Sequence, residues 1–187
     1  MGVKKMKIIC IIIAMLLPQL TTNALGYTYE KKLANSKVIH IVHLDQSEYE
    51  AEIIKANNGN IGRETVSSIA QKSSANIAIN GGFFEIGGKN DGKASRSLVI
   101  HGKVYGLKKL IQPLVIIKNG IITINQSDPV NYKNQDISFV SGIPMLIDNG
   151  KISEELLNKK SEFYTRPHAR TALGIDSNRK MRVFTIR

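Results

Sequence analysis

Apolar and polar residues alternate in short blocks along most of this chain, and glycine and asparagine punctuate the blocks. That is the pattern of half-buried strands separated by tight turns. Residues 38–45 (VIHIVHLD) and 49–56 (YEAEIIKA) read as two strands joined by a short polar turn. In ETVSSIAQKSSA, Val66, Ile69 and Ala70 fall at i, i+3 and i+4, which predicts a short amphipathic helix. A buried strand is expected at 76–80. Three hairpins follow: SLVIHGKVYG, turning at 101–103; PLVIIKNGIITI, turning at Asn119 and Gly120; and GIPMLIDNGKI, turning at Asn149 and Gly150. Asn-Gly suits the two positive φ angles of a tight hairpin turn. Ser153 is placed to cap one helical turn over 153–158. The last stretch, RTALGIDSNRKMRVFTIR, reads as strand, polar turn, strand. The expected class is α+β, a strand-rich mixed sheet with hairpins and few short helices.

The first 26 residues follow a different rule. Lys4, Lys5 and Lys7 precede an apolar run at 8–17, which Pro18 stops. That run is too short to span a bilayer, which takes roughly 20 residues. A basic stretch, a short apolar core and small residues beyond it make a secretory signal. Cleavage is expected after Gly26, with Ala24 as the neighbouring choice, leaving one domain over 27–187 that is secreted or periplasmic. Cys10 is the only cysteine of the 187 residues and lies in the apolar run, so the mature chain has no thiol for a disulfide or a metal. The remaining residues, about 160, are enough to hold a core together without one.

The formal charge of +11, or +8 without the three lysines of the leader, points to acidic partners such as phosphorylated or uronic polysaccharide, wall polymer or lipid headgroups. The chain has no Trp and no basic stretch interleaved with aromatics, which argues against nucleic acid. His40 and His43 stand three apart on a strand and so point to opposite faces. They cannot share a metal, and neither a metal site nor a cofactor is expected.

Residues 76–88 read NIAINGGFFEIGG, four glycines and the only Phe-Phe pair in a dozen residues. A strand that ends in Asn-Gly-Gly makes a sharp exit, because glycine accepts backbone angles that other residues avoid. Glycine also lets another backbone or a ligand come close. Phe83 and Phe84 would seat the loop, one ring in the core and the other lining a pocket. The spacing is not that of a dinucleotide fingerprint, and no helix pattern follows.

Taken in order, AINGGFFE, SLVIHGKVYG, SGIPMLIDNGKI and RPHARTALGID resemble the phosphodiester glycosidase family, from about residue 37 to the C-terminus. The resemblance implies hydrolysis of a sugar-1-phosphodiester, with an amino-sugar or polysaccharide substrate. The rival reading is a non-catalytic carbohydrate-binding or exopolysaccharide-associated protein. Glu85 stands where the family usually has an aspartate, and Ala169 where a proline commonly precedes the Arg-Thr pair. In the family, the strand matching MRVFTI runs on into an Asp-Gly-Arg turn, a helix and an Asp-Gly-Gly segment. The present sequence corresponds to the front portion of such a domain.

For that chemistry the leaving group is a phosphate ester, which departs without strong acid help. The site needs cations for the phosphate, stabilisation of an oxocarbenium-like centre and a base for water. A guanidinium fits because it can bind two phosphate oxygens at once. Arg170, in the most specific block, is the first choice, with Thr171 and His168 beside it and Arg96 and Arg166 as further candidates. An ion pair with a neighbour is the alternative for any of these arginines. Asn80 would hydrogen-bond sugar hydroxyls or satisfy its own turn. Glu85 is the candidate base, with Asp91 behind it. Gly81 and Gly82 would admit the ligand, and Gly142 permits close approach or forms a bulge. The final strand alternates so that Phe184 and Ile186 share a face that wants a cover, which predicts an exposed apolar patch or an unpaired edge.

Overall fold

Period-two patterning yields eleven strands among the described residues, which are 26–132, 135–158 and 161–186 of the computed structural model. The expected signal segment lies outside them apart from Gly26, and Cys10 with it. No helix of the described residues is long and apolar enough to cross a membrane. Four strands, β1 (Tyr27–Ala34), β2 (Lys37–Leu44), β10 (Arg170–Ile175) and β11 (Met181–Ile186), form one sheet in the order β1-β2-β11-β10. Five more, β3 (Leu98–Ile100), β4 (Lys103–Gly106), β5 (Gln112–Lys118), β6 (Ile121–Ser127) and β7 (Ser138–Ser141), form a second in the order β4-β3-β7-β5-β6. The pair β8 (Ile147–Asp148) and β9 (Lys151–Ile152) stands alone as a two-stranded ribbon. The pairings between these strands are antiparallel.

The three hairpins form where turn chemistry places them. Asn119 and Gly120 take φ of 50° and 74°, Asn149 and Gly150 take 47° and 77°, and His101 and Gly102 take 46° and 73°. Paired positive φ angles match the right-handed twist of the flanking strands. Helix α1 (Val66–Ser73) begins at Thr65, whose side chain accepts a bond from the Ser68 amide. Two single-turn helices, α2 (Glu154–Leu157) and α3 (Glu162–Thr165), are capped by Ser153 and Ser161. The strand-rich α+β class is therefore observed, with antiparallel sheets among the described residues in place of the expected mixed one.

The core sits on the central strands of the five-stranded sheet. Val99, Leu114, Ile116, Ile137 and Phe139 cluster there, with Leu107 and Tyr132 packed against them. The four-stranded sheet adds Ile41, Leu44 and Val183. Gln46 ties the two sheets: its Oε1 accepts from the Ile122 amide at 2.8 Å and its Nε2 donates to the Arg179 carbonyl at 3.1 Å.

Several expectations change. Residues 49–56 form no strand. Both edges of β2 are taken, by β1 and β11, so the segment has nothing to pair with there. It turns instead to the β5–β6 hairpin, where the Ala51 amide donates to the Gly120 carbonyl at 2.8 Å. The β1 partner, YTYEKKLA, carries three charges and tolerates them because it is an edge strand. Residues 76–80 are irregular and largely exposed rather than a buried strand. The expected unpaired sheet edge lies on the outer strands β1 and β10, while the final strand β11 is flanked by β2 and β10. Phe184 and Ile186 are half-buried, in register with Ile41 and Ile39 of β2.

Candidate functional site

Gly82 explains the course of the 80–84 stretch. A Cβ built on it would lie 2.6 Å from Cγ2 of Val140, so the backbone runs closer to β7 than any side chain would allow. Neither Gly81 nor Gly82 has a positive φ, so the expected angular role is replaced, at Gly82, by a steric one. Around Gly81 and Gly142 a Cβ would meet nothing within 4 Å. Close approach at Gly142 is therefore not required. Its amide donates to the Pro113 carbonyl at 3.0 Å, and Ser141 beside it donates its amide to the Ser97 carbonyl at 3.0 Å. Asn80, Gly81 and Gly82 are exposed.

Beyond the glycines the chain makes a small ladder. The Ser95 amide donates to the Phe83 carbonyl at 3.0 Å, the Glu85 amide to Lys93 at 2.8 Å, and the Gly92 amide to Glu85 at 2.8 Å. Asp91 closes the loop tip by accepting from the Gly87 amide at 2.6 Å and from Arg63 Nε at 2.8 Å. The Gly87 bond and then Arg63 hold its carboxyl below the usual range. Asp91 is thus a loop anchor. Glu85 is exposed on the arm that carries Phe83, and no hydrogen bond or ion pair engages its carboxylate among the described residues.

Neither ring of the Phe-Phe pair enters the core. Phe84 is 47% exposed, and Phe83 is half-buried. Phe83 lies 6.2 Å from Phe163 of α3, centroid to centroid, tilted by 60°. The Arg96 guanidinium sits over Phe83 at 5.9 Å, and the Arg170 guanidinium sits over Phe163 at 4.7 Å. The result is a row of Arg96, Phe83, Phe163 and Arg170, which joins the Asn-Gly-Gly-Phe-Phe block to the Arg-Thr-Ala-Leu-Gly block. Arg170 also donates to the Phe163 and Ala169 carbonyls. Neither guanidinium meets a carboxylate among the described residues. Each ring holds its cation by the negative face of its π system and leaves the charge uncancelled.

Arg166 departs from this row: it pairs with Glu162 at 3.0 Å, an exposed i, i+4 bridge. His168 and Thr171 are exposed near the start of β10, and Thr171 is in register with Thr185. Sequence reasoning ranked Arg96 below Arg170 and missed Phe163. The signal was an aromatic seven residues before Arg170, but only the tertiary approach of α3 to Phe83 gives it meaning. A cavity of about 180 Å³, lined by His101, Asn119, Asp136 and Ser138, lies at the other end of β3 and β7. His40 and His43 are engaged in the four-stranded sheet, His40 with the Tyr29 hydroxyl at 2.7 Å and His43 with Arg182 at 2.9 Å. Two cations and a solvent-facing carboxylate at one sheet end can orient an anionic ligand beside a base.

The phosphodiester glycosidase family matches residues 73–187, a stretch that holds β3 to β11 and every candidate residue. An uncharacterised protein of Rickettsia conorii is 42% identical over 59 residues, which is 32% of this chain and 21% of that protein. The chain therefore spans about a fifth of the length of the relative it matches.

Proposed function

The chain belongs to the phosphodiester glycosidase family, and from that premise we propose that it is an exported hydrolase of a sugar-1-phosphodiester. The observation that carries the reading is the row of Arg96, Phe83, Phe163 and Arg170, with both guanidiniums free of carboxylate partners among the described residues. Arg170 supplies the bidentate contact to the phosphate, and Arg96, beyond the two rings of the row, adds to the positive field that draws it in. Asn80 and the open backbone at Gly81 and Gly142 face the sugar. Glu85 takes a proton from water as its oxygen bonds to the anomeric carbon. The bond from that carbon to the phosphate oxygen breaks, and a phosphate monoester leaves with the electron pair.

Arg170→Lys tests the clamp. A point charge cannot replace the planar fork, so affinity for a sugar-1-phosphodiester should fall although charge is kept. Arg170→Ala should lose roughly 1.5–3 kcal/mol of binding. Calorimetric titration of the folded variants decides: unchanged affinity would make Arg170 a structural residue. Release of free sugar by the parent protein tests the hydrolytic step.

One observation favours a second reading, binding without hydrolysis. Nothing orients the Glu85 carboxylate among the described residues, whereas a general base works from a fixed position. Retained binding with no sugar released would select that reading. Export rests on the basic, apolar and small-residue order of residues 1–26. The mature protein should begin near Leu25 or Tyr27, and N-terminal sequencing of exported material that still found Met1 would refute it.

A further inference from the structure

A second pair of cations lies beside the first. Tyr105 of β4 carries the Lys103 ammonium over its ring at 5.2 Å and the Lys55 ammonium at 5.6 Å. Lys55 also donates to the Asn60 carbonyl, and its partial burial lowers its pKa. Neither lysine meets a carboxylate among the described residues. The next residue, Gly106, runs against the backbone of Arg96: a Cβ built on it would lie 2.4 Å from the Arg96 carbonyl oxygen. The two cation–aromatic clusters therefore lie on adjoining segments of chain, and β4 is an outer strand of its sheet.

Holding two ammoniums near one ring concentrates positive charge, which favours an anion there. The ring orients both lysines and leaves two positive charges for a ligand. A single phosphodiester occupies the Arg96–Arg170 row and has no charge left for these lysines. A chain with recurring anionic groups does.

We propose that the Lys55–Tyr105–Lys103 cluster binds a second anionic unit of a polymeric saccharide whose first unit occupies the arginine row, so that the ligand is an acidic polysaccharide rather than a small phosphodiester. This rests on the reading above for the arginine row. Saccharide is favoured over nucleic acid because Tyr105, Phe83 and Phe163 each already carry a cation over the ring. Bases would need those faces as stacking platforms.

The experiment compares the parent protein with a Lys55→Gln/Lys103→Gln variant, both checked for unchanged melting. The probes are phosphodiester-linked N-acetylglucosamine as a single repeat and as a long chain. The double variant should bind the long chain on the order of tenfold more weakly, with a shallower dependence on salt, and the single repeat as before. Equal long-chain affinity and salt slope in both proteins would overturn the proposal while single-repeat binding kept the arginine reading intact. If the parent protein fails to bind the single repeat yet holds the long chain through the lysines, the arginine reading falls and the lysine surface stands. Single-stranded DNA bound as tightly, with the same lysine dependence, would overturn the saccharide assignment.

Discussion

At the scale of single residues, the glycine-rich stretch separates two uses of glycine that look alike in sequence. Gly82 is needed because its neighbour is too close, and Gly81 is not. Gly82→Ala drives a methyl group into the buried, β-branched Val140, which cannot swing away cheaply. Overpacking of this kind costs about 1–3 kcal/mol. Gly81→Ala and Gly142→Ala should leave stability within about 0.5 kcal/mol, since each Cβ enters open space without a positive φ. Chemical denaturation of the three variants checks the contrast, and three equal losses would refute it. The candidate residues were legible in part. Arg170 could be chosen because its block is distinctive, and the Phe-Phe pair because it is unusual. Their relation was not, because it passes through Phe163, and nothing local in SEFYTRPHAR says which ring that side chain will meet. Asp91 misled for the opposite reason: a loop acid next to a candidate base has the right chemistry, but its oxygens are spent on Gly87 and Arg63.

At the scale of elements, local chemistry was readable and competition for partners was not. The three hairpins follow from turn residues that act within four positions, so sequence alone locates them. Whether 49–56 forms a strand depends on whether an edge of β2 is open, and β11 decides that from the far end of the chain. Helix α1 shows an anchor of the local kind. Glu64 accepts from the Ser68 hydroxyl at 2.6 Å, from Lys72 Nζ at 2.5 Å and from the Asn57 amide at 3.0 Å. Lys72, Ser68 and Asn57, in that order, draw its pKa from 4.5 down to about 2. A carboxylate whose pKa is lower in the folded state stabilises the fold above its ordinary value and stops doing so as pH falls through the folded value. Glu64→Gln should therefore lower the melting temperature at neutral pH. The gap from the parent protein should close as pH falls from 4.5 to about 2. A gap that stays constant over that window would show that the charge of Glu64 is not what holds the helix.

At the scale of the whole molecule, the two sheets are unequal. The five-stranded sheet buries Phe139 and Leu114 completely, whereas most of the four-stranded sheet is half-exposed. Opening free energy follows buried apolar contact. Amides of β3, β5 and β7 should therefore exchange slowest, and those of β1 and β10 faster than any in that core. Uniform protection across both sheets in hydrogen exchange would contradict this. The pairing of β2 with β11 adds a matter of timing. Leu44 lies opposite Met181, so the four-stranded sheet is closed by the two ends of the described chain. A two-stranded hairpin is marginal in water by itself, and pairing between distant segments makes folding slow. During synthesis, β1 and β2 must then wait, with one edge of β2 unpartnered, until β10 and β11 arrive. For that interval the chain depends on something else to keep the edge from pairing with a neighbour, and a holding chaperone that recognises extended strands would do so.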